Sequence, residues 1–362
     1  MGERLWLLRI TLVLTLLVAG CARGDRQGAP SAIGDWQTAS LSEVDVKGGP
    51  LDDLAEVIDE AGYGIDAVLI VRHGKLVYER YWDMRPSELH SVYSCTKSIV
   101  SLLVGIALFR GDLESADQTI GELLPDLDWK QLGTDKKAIT LGDLLTMSSG
   151  LDWPELGVPY DAASTFSRWT RTGGRARFVL ERDIVHEPGS VFNYTSGGSH
   201  VISAILAAQT GQNTSDYAQE HLFAPLGIKR YEWPTDSDGL SFGGHALKLR
   251  PRDMAKIGQL ALDGGQWQDQ QIVSPEWVSE STRQHIMTGR WGSYGYHWWV
   301  YPGLAPTSDG IEAFGAMGYR GQHIYVIPDK DMVVVFASTL DPNDTISAPR
   351  TLLEQYILPA AR

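Results

Sequence analysis

Cysteine is scarce in this chain of 362 residues, which contains only Cys21 and Cys95. If Cys21 carries a lipid, as the N-terminal pattern below predicts, Cys95 is the only thiol left and no intramolecular disulfide forms. The residues around Cys95 show no cysteine–histidine pairing, so we interpret its thiol as a small buried apolar group.

Metal-binding and phosphate-binding motifs are also missing. The nine histidines are scattered, and neither a His-Glu-x-x-His nor a Cys-x-x-Cys arrangement occurs. These spacings bring zinc ligands together, so their absence gives a metal site little support. No glycine-rich phosphate-binding loop is present either. The sequence therefore predicts no metal ion and no cofactor.

Positive charge is the third thing in short supply. The chain has 31 Lys and Arg residues against 45 Asp and Glu residues, a net charge of −14, and it has no basic cluster. Such a protein is a poor candidate for binding nucleic acid. Hydrophobic residues make up 43% of the chain and charged residues 21%, which predicts a globular protein with ample core.

A long apolar run occurs at the N-terminus, where Arg4 and Arg9 precede a stretch that reaches Val18. Val18-Ala19-Gly20-Cys21 then resembles a bacterial lipobox. A plain transmembrane anchor is the alternative, but Arg9 leaves the run too short to span a bilayer comfortably. We predict a signal peptide over 1–20, lipid on Cys21, a tether over 21–49 and a domain over 50–362. This places the protein in the cell envelope, facing the periplasm or the cell surface.

The domain shows a helix, two strands, a long helical stretch, several strands and a final helix. Apolar residues at helical spacing from Leu51 predict the first helix, and the runs 65–71 and 75–82 predict a hairpin. Strand-like segments return from Tyr294 onward. The pattern predicts an α+β fold: an antiparallel sheet with terminal helices (about 50–93 and 291–362), and a largely helical lobe (about 94–290).

Ser94 and Lys97 stand at the head of a strongly apolar helix predicted over 99–109. Residues three apart share a helix face, so both side chains point into the same space. The helix N-terminus favours a developing oxyanion and disfavours an ammonium, and burial disfavours the ammonium further. A neutral lysine there can accept the serine proton. The alternative interpretation is a helix cap followed by an ordinary first-turn lysine.

A third group must carry the proton to the leaving group, and Tyr194, just before another predicted helix, is placed to supply it. A loop tyrosine with a satisfied hydroxyl is the alternative. A competing nucleophile signal surrounds Ser241, in Gly239-Leu240-Ser241-Phe242-Gly243. That pattern needs a buried strand before it and a helix directly after it, and neither is predicted here.

Three ordered motifs resemble those of the serine β-lactamase-related hydrolases: Ser94-Cys95-Thr96-Lys97, Tyr194-Thr195-Ser196 and Gly318-Tyr319-Arg320-Gly321-Gln322. That superfamily includes class C β-lactamases, D-alanyl-D-alanine carboxypeptidases, family VIII esterases and 6-aminohexanoate-dimer hydrolases. The resemblance implies a β-lactamase/DD-peptidase-like fold. It also implies Ser94 as the acylated nucleophile, Lys97 as its base, Tyr194 as the proton relay and Ser196 at the edge of the site. The oxyanion would lie between the backbone N–H groups of Ser94 and Gln322, the latter on a sheet-edge strand.

The third motif departs from the superfamily pattern. Many relatives have Lys or His, then Thr or Gly, then Gly, whereas this chain has Tyr319, Arg320 and Gly321. Neighbours on a strand face opposite sides, so we expect only one of Tyr319 and Arg320 to line the site. Arg320 would bind a substrate carboxylate if it faced the cleft; a solvent-facing Arg320 is the alternative.

The resulting hypothesis is a lipid-tethered serine hydrolase that forms an acyl-enzyme on small carboxylic esters or linear amides. Efficient β-lactam hydrolysis is not expected from the altered third motif. One alternative is a D-alanyl-D-alanine carboxypeptidase or a protein with weak penicillin-binding or β-lactamase activity. A non-catalytic binding lipoprotein is the other. The oligomeric state is not predicted.

Overall fold

The computed structural model of the protein describes residues 36–289, 292–304, 310–341 and 347–361. The predicted signal peptide, Cys21 and the first part of the predicted tether lie outside these residues. Within the described ranges, no helix combines the length and the apolar character needed to cross a bilayer.

An eight-stranded antiparallel sheet forms the centre of the described chain. Its strand order is β2-β1-β12-β11-β10-β9-β8-β7, and two short two-stranded sheets, β3-β4 and β5-β6, lie apart from it. The strands are β1 (Ile65–Arg72), β2 (Lys75–Tyr81), β3 (His90–Ser91), β4 (Lys248–Leu249), β5 (Gln266–Trp267), β6 (Gln270–Gln271), β7 (Ile286–Met287), β8 (Ser293–Tyr294), β9 (Trp299–Leu304), β10 (Ile311–Gly318), β11 (Gln322–Ile327) and β12 (Met332–Ser338).

The helices precede, interrupt and follow these strands. They are α1 (Gly48–Ala61), α2 (Cys95–Arg110), α3 (Ile120–Leu123), α4 (Trp129–Leu132), α5 (Leu141–Leu145), α6 (Thr165–Thr170), α7 (Arg175–Leu180), α8 (Ser196–Thr210), α9 (Thr214–Ala218), α10 (Pro251–Leu262), α11 (Pro275–Thr282), α12 (Ser347–Leu352) and α13 (Leu358–Ala360). Short 3-10 or π turns occur at Leu41–Val44, Thr134–Ala138, Gln219–Phe223, Pro328–Lys330 and Leu353–Ile357.

The sheet separates two apolar clusters, because successive side chains of a strand point to opposite faces. Along β1, Leu69 belongs to the cluster that contains α2, α8 and α10, whereas Val68 and Ile70 belong to the cluster that contains α1 and α12. The terminal helices therefore cover one face and the helical lobe covers the other. This confirms the predicted α+β fold, an antiparallel sheet with terminal helices and a largely helical lobe.

Two predicted boundaries differ from the structure. Residues 36–49, assigned to the tether, lie on the domain: the Leu76 N–H donates to the Gln37 carbonyl, and the Lys47 N–H donates to the Ala360 carbonyl. Little periodicity marks this segment, so its main-chain pairing was not visible in the sequence. The predicted strand 294–300 is broken between β8 and β9 by a turn in which the Gly295 N–H donates to the Trp298 carbonyl.

Helix α2 occupies the middle of the molecule. Its residues from Cys95 to Ala107 are all buried, as its nearly uniform apolar character predicted. Gly111, in the left-handed conformation with φ of 82°, ends it, and the Gly111 N–H caps the Ala107 and Leu108 carbonyls. A helix that is buried over most of its length thus holds Ser94 and Lys97 at its N-terminus.

Candidate active site

Ser94 sits directly before the first residue of α2, and the chain turns sharply to place it there. Tyr93 has a positive φ of 45°, which is uncommon for a residue with a side chain. The turn is stabilised because the Tyr93 carbonyl accepts from the Thr96 hydroxyl at 2.6 Å and from the Thr96 N–H at 3.1 Å. The local strain is thus offset by hydrogen bonds at the point where the candidate nucleophile enters the helix.

Lys97 is 1% exposed, and its Nζ lies within hydrogen-bond distance of three oxygens. It donates to Ser94 Oγ at 3.1 Å, to Ser196 Oγ at 3.0 Å and to the Gly244 carbonyl at 2.6 Å. Burial lowers the pKa of Lys97 from 10.5 to about 8, although the charge of Glu155 raises it. The geometry therefore joins the predicted nucleophile to a lysine that can lose its proton near neutral pH.

Tyr194 lies over the same lysine. Its ring centroid is 4.8 Å from Lys97 Nζ, and the ring stacks on Trp299 with the centroids 6.1 Å apart. Burial raises the pKa of the Tyr194 phenol well above its ordinary value, while a side-chain interaction with Ser94 lowers it by less. Tyr194 consequently keeps its proton at neutral pH, so Lys97 is better suited than Tyr194 to act as a base.

Glu155 is a buried carboxylate that the sequence analysis did not identify. Only 4% of it is exposed. One of its oxygens, Oε1, accepts from Ser196 Oγ at 2.6 Å, and the other, Oε2, accepts from the Ser196 N–H at 2.7 Å and from Trp153 Nε1 at 2.6 Å. A continuous chain of hydrogen bonds thus runs from Ser94 through Lys97 and Ser196 to Glu155.

The third motif forms the turn between β10 and β11 rather than a strand. Arg320 and Gly321 both have positive φ, 61° and 87°. The Tyr319 ring packs against Tyr93, next to Ser94, with centroids 5.7 Å apart. The Arg320 guanidinium instead donates to the carbonyls of Thr339 at 2.8 Å and Leu340 at 3.1 Å. Tyr319 is therefore brought to the site, while Arg320 is held on the end of β12.

Gln322 occupies a different position from the one predicted. β11 is paired with β10 on one side and β12 on the other, so it is not a sheet-edge strand. The Gln322 side-chain amide donates to the Tyr319 carbonyl at 3.3 Å and also to the Ser338 carbonyl. The Gln322 side chain is wholly buried, and its hydrogen bonds stabilise the turn between β10 and β11. The neighbouring strands were expected from local patterns, but their pairing with β11 on both sides depends on distant segments and could not be read from them.

The end of β10 packs against the backbone just before the candidate nucleophile. Pairing of β10 with β9 stops at Gly315 opposite Trp299. Beyond it, a side-chain carbon on Gly318 would lie 2.4 Å from the Val92 carbonyl oxygen, a distance that real side chains do not tolerate. Glycine is therefore required there, because the strand end packs directly on the chain that leads into Ser94.

Aromatic side chains border the site on its open side. The Tyr160 ring contacts Tyr319 at a centroid distance of 5.5 Å and Phe166 at 4.9 Å, and Phe166 in turn contacts His245 at 5.4 Å. Burial lowers the pKa of His245 to about 3, which leaves its ring neutral. With Arg320 bonded elsewhere, the third motif contributes the aromatic ring of Tyr319 to this border rather than a cation.

Ser241, the competing serine, is fully buried, and its hydroxyl is bonded to residues at the start of α9 rather than to Lys97. Its hydroxyl donates to Asn213 Oδ1 and accepts from the Ser215 N–H at 3.1 Å. It therefore stabilises the start of α9. In the described ranges, no group of three His, Cys, Asp or Glu side chains is arranged to hold a metal ion.

Comparison with known proteins gives consistent matches. The β-lactamase family model matches residues 53–356. A 6-aminohexanoate-dimer hydrolase from Paenarthrobacter ureafaciens is 27% identical over 315 residues, which cover 82% of this chain and 77% of that protein.

Solved structures match over most of the chain as well. A class C β-lactamase from Rhodobacter sphaeroides has a TM-score of 0.65 at 19% identity, covering 86% of this chain and 99% of that one. A family VIII carboxylesterase has a TM-score of 0.68 at 16% identity, covering 86% and 95%. At these identities the structural likeness shows a shared fold.

Proposed function

The chain belongs to the β-lactamase family, and we propose that it is a serine hydrolase that acts through an acyl-enzyme on small carboxylic esters or linear amides. The observation that carries this proposal is the placement of Lys97 Nζ 3.1 Å from Ser94 Oγ in a buried site. A neutral amine there takes the serine proton as Ser94 attacks a carbonyl carbon. The oxygen–carbon bond forms, and the carbonyl oxygen becomes an oxyanion.

Backbone N–H groups stabilise that oxyanion in our proposal. One is the Ser94 N–H at the N-terminus of α2, where the helix dipole also favours negative charge. The second comes from the end of β10, at residues 317–319, because that backbone packs against Val92. This replaces the Gln322 N–H of the sequence-based expectation. Loss of one such donor typically costs about 3 kcal/mol in the transition state.

The leaving group receives its proton through Tyr194, which holds a proton at neutral pH and lies beside both Ser94 and Lys97. Collapse of the tetrahedral intermediate breaks the bond between the carbonyl carbon and the leaving group. Lys97 has by then passed its proton through Tyr194 to the leaving group and is neutral again. Water attacks the acyl carbon while Lys97 accepts its proton, the bond from that carbon to Ser94 Oγ breaks, and the proton returns to Ser94 as the acid is released.

The border of the site supports the proposed substrate class. Tyr93, Tyr160, Tyr319 and Phe166 supply aromatic surface, and Arg320 is occupied by the carbonyls of Thr339 and Leu340. A peptide that ends in a carboxylate would find no cation from the third motif. This disfavours the carboxypeptidase alternative and supports a neutral ester or amide with an apolar group.

The test is covalent labelling of the purified protein by a fluorophosphonate probe, followed by peptide mapping. We expect the label on Ser94, no label in Ser94→Ala, and labelling slower by about 10²- to 10⁴-fold in Lys97→Ala. Ser241→Ala is the matched control and should label like the unaltered protein. A label on Ser241 would contradict the assignment, and no label on folded protein would favour the non-catalytic binding alternative.

A second assay addresses the substrate. p-Nitrophenyl esters of increasing acyl length, short linear amides, β-lactams and peptides ending in D-alanine are compared on the same preparation. We expect the highest kcat/KM on neutral esters or amides. Preference for the D-alanine peptides would overturn the assignment of substrate class while leaving Ser94 as the nucleophile.

We also propose that a lipid on Cys21 tethers the protein to a membrane of the cell envelope. The support is the Val18-Ala19-Gly20-Cys21 pattern behind an apolar run. Metabolic labelling with an alkyne fatty acid should mark the unaltered chain and leave Cys21→Ser unmarked. Equal labelling of the two would contradict the anchor.

A further inference from the structure

The Ser196 hydroxyl connects Glu155 to Lys97, and the chemistry of the three groups determines the direction of each hydrogen bond. Glu155 Oε1 lies 2.6 Å from Ser196 Oγ, and both Glu155 oxygens already receive protons from N–H or O–H donors. An ionised carboxylate only accepts, so Ser196 must use its single proton toward Glu155. Toward Lys97, 3.0 Å away, Ser196 can then only accept.

This constraint decides where a neutral Lys97 points its lone pair. An ammonium has three N–H bonds, which serve Ser94, Ser196 and the Gly244 carbonyl. A neutral amine has two N–H bonds and one lone pair. The Gly244 carbonyl can only accept, and Ser196 is restricted to accepting, so these two take the N–H bonds. The lone pair is left for the Ser94 hydroxyl, whose proton the base must remove.

Glu155 also determines the charge balance around Lys97. Four other titratable groups face Lys97: Cys95 on α2, Tyr194 before α8, His245 after the Gly243–Gly244 segment and His297 between β8 and β9. Burial raises the pKa of Cys95 and of Tyr194, and it lowers those of His245 and His297 to about 3. These four are neutral at pH 7. Tyr160 and Tyr294, which face Glu155, also keep their protons, because burial raises the pKa of each phenol. This leaves the Glu155 carboxylate as the negative charge among the groups named.

We propose that Glu155 is a positioning residue for the base: through the Ser196 hydroxyl it aims the Lys97 lone pair at Ser94, and its charge stabilises the ammonium that forms when Lys97 takes the serine proton. The proposal rests on the proposed function of Ser94 and Lys97. Glu155 lies in a loop outside the three sequence motifs. In this proposal it influences both the pH at which Lys97 loses its proton and the rate at which Lys97 removes the proton of Ser94.

Two effects of opposite sign follow from neutralising Glu155 with Glu155→Gln. Without the carboxylate, the ammonium is less stable, so Lys97 loses its proton at a lower pH, by about one pH unit. The same change makes the amine a weaker base and frees Ser196 to donate to its lone pair. The maximal rate should therefore fall about tenfold or more. The ratio of variant to unaltered rate should rise as the pH is lowered.

The assay is the second-order rate of fluorophosphonate labelling of Ser94 in the full-length protein, measured from about pH 6 to pH 10. Glu155→Asp keeps the charge. The pH of half-maximal labelling on the acidic side of its profile should stay within about 0.3 pH unit of that of the unaltered protein, while the maximal rate is reduced. Glu181→Gln is the matched control, because it removes one carboxylate from an exposed pair with Arg177 on the same lobe. We expect this control to change neither the maximal rate nor the pH of half-maximal labelling.

A double-mutant cycle tests the route through Ser196. If Glu155 acts through that hydroxyl, adding Glu155→Gln to Ser196→Ala should lower the maximal rate by less than twofold, compared with tenfold in the unaltered background. If Glu155 had a purely structural role, Glu155→Gln would instead reduce the rate by the same factor at every pH. That result, or an unchanged profile, would overturn the proposal.

Failure of the proposed function is separable from failure of this inference. If the unaltered protein is never labelled on Ser94, the hydrolase assignment fails. The influence of Glu155 on Lys97 can then be measured from stability alone. The unfolding free energy of each protein is compared with that of the same protein carrying Lys97→Met, once with Glu155 present and once with Glu155→Gln. The difference should begin to rise at a lower pH in the Glu155→Gln pair. An identical onset in the two backgrounds would refute the electrostatic link. Thermal melts establish that each variant is folded.

Discussion

Replacing Lys97 by methionine should change how stability depends on pH, because burial of the lysine ammonium is unfavourable. Lys97 is 1% exposed, and burial lowers its pKa from 10.5 to about 8. Methionine keeps an unbranched side chain of similar length and cannot titrate. The difference in unfolding free energy between the two proteins therefore isolates the proton on Lys97.

The sign and the magnitude follow from proton linkage. The folded-state pKa lies below that of the unfolded chain, so between the two values the unfolded chain binds more protons, and stability rises with pH. Below about pH 8 both states are protonated and the full penalty of roughly 3 kcal/mol is present. Between pH 7 and pH 9, the unaltered protein should gain about 1.3 kcal/mol relative to Lys97→Met.

Urea denaturation of both proteins at pH 7 and pH 9 measures this gain. Groups remote from Lys97 contribute equally to both proteins and cancel in the difference. The neighbouring His245 and His297, whose pKa values the lysine charge helps to lower, are neutral in the folded protein throughout this pH range. Loss of the hydrogen bond from Lys97 to the Gly244 carbonyl, 2.6 Å in length, shifts the stability of Lys97→Met by an amount that does not depend on pH. The pH-dependent part is thus the informative quantity.

A kinetic measurement provides an independent check on the same group. The labelling rate of Ser94 should be half-maximal near pH 8, because the base is active only when neutral. If the stability difference is the same at both pH values to within about 0.3 kcal/mol, the buried lysine does not titrate as argued. The account of Lys97 as a base near neutral pH would then be wrong.

Two further predictions concern the buried helix α2. Gly105→Ala should destabilise the protein by about 1–3 kcal/mol in urea denaturation, because the new carbon would lie 2.1 Å from Trp277 Cδ1. The control is Gly49→Ala in α1, where the space around the new carbon is open, and it should be neutral or stabilising. Cys95 is fully buried and its thiol pKa is raised, so it should react with a thiol reagent only after denaturant is added. Peptide mapping distinguishes it from Cys21, and fast reaction of Cys95 itself in the folded protein would contradict its position.

Local patterns in the sequence predicted most of the fold. Apolar spacing from Leu51 predicted α1. The capping box of Thr140 and Asp143 at the start of α5 is likewise a local feature of the sequence. The His73-Gly74 turn joins β1 and β2 as expected, with both residues at positive φ. Each of these features depends on residues within a few positions of one another, so their physical cause is contained in a short stretch of chain.

The less successful predictions all required knowledge of the surroundings. Arg320 was expected on a strand that alternates sides, whereas it lies in a turn and is held by the carbonyls of two residues that follow β12. Gln322 was placed on a sheet edge, but its strand has a neighbour on each side. Whether a strand is an edge depends on which distant segments pair with it, and alternation along the chain does not reveal that.

The sequence by itself determined the pairing of Ser94 and Lys97, because residues three apart at a helix start must share a face. Only the tertiary structure decided what surrounds that pair. Glu155 is one of 45 acidic residues and lies in a stretch without periodicity. It becomes a partner of the base because the fold buries it against Ser196, a contact across 41 positions of the chain. Burial and long-range contact set the charge of Lys97, and neither is a property of local sequence.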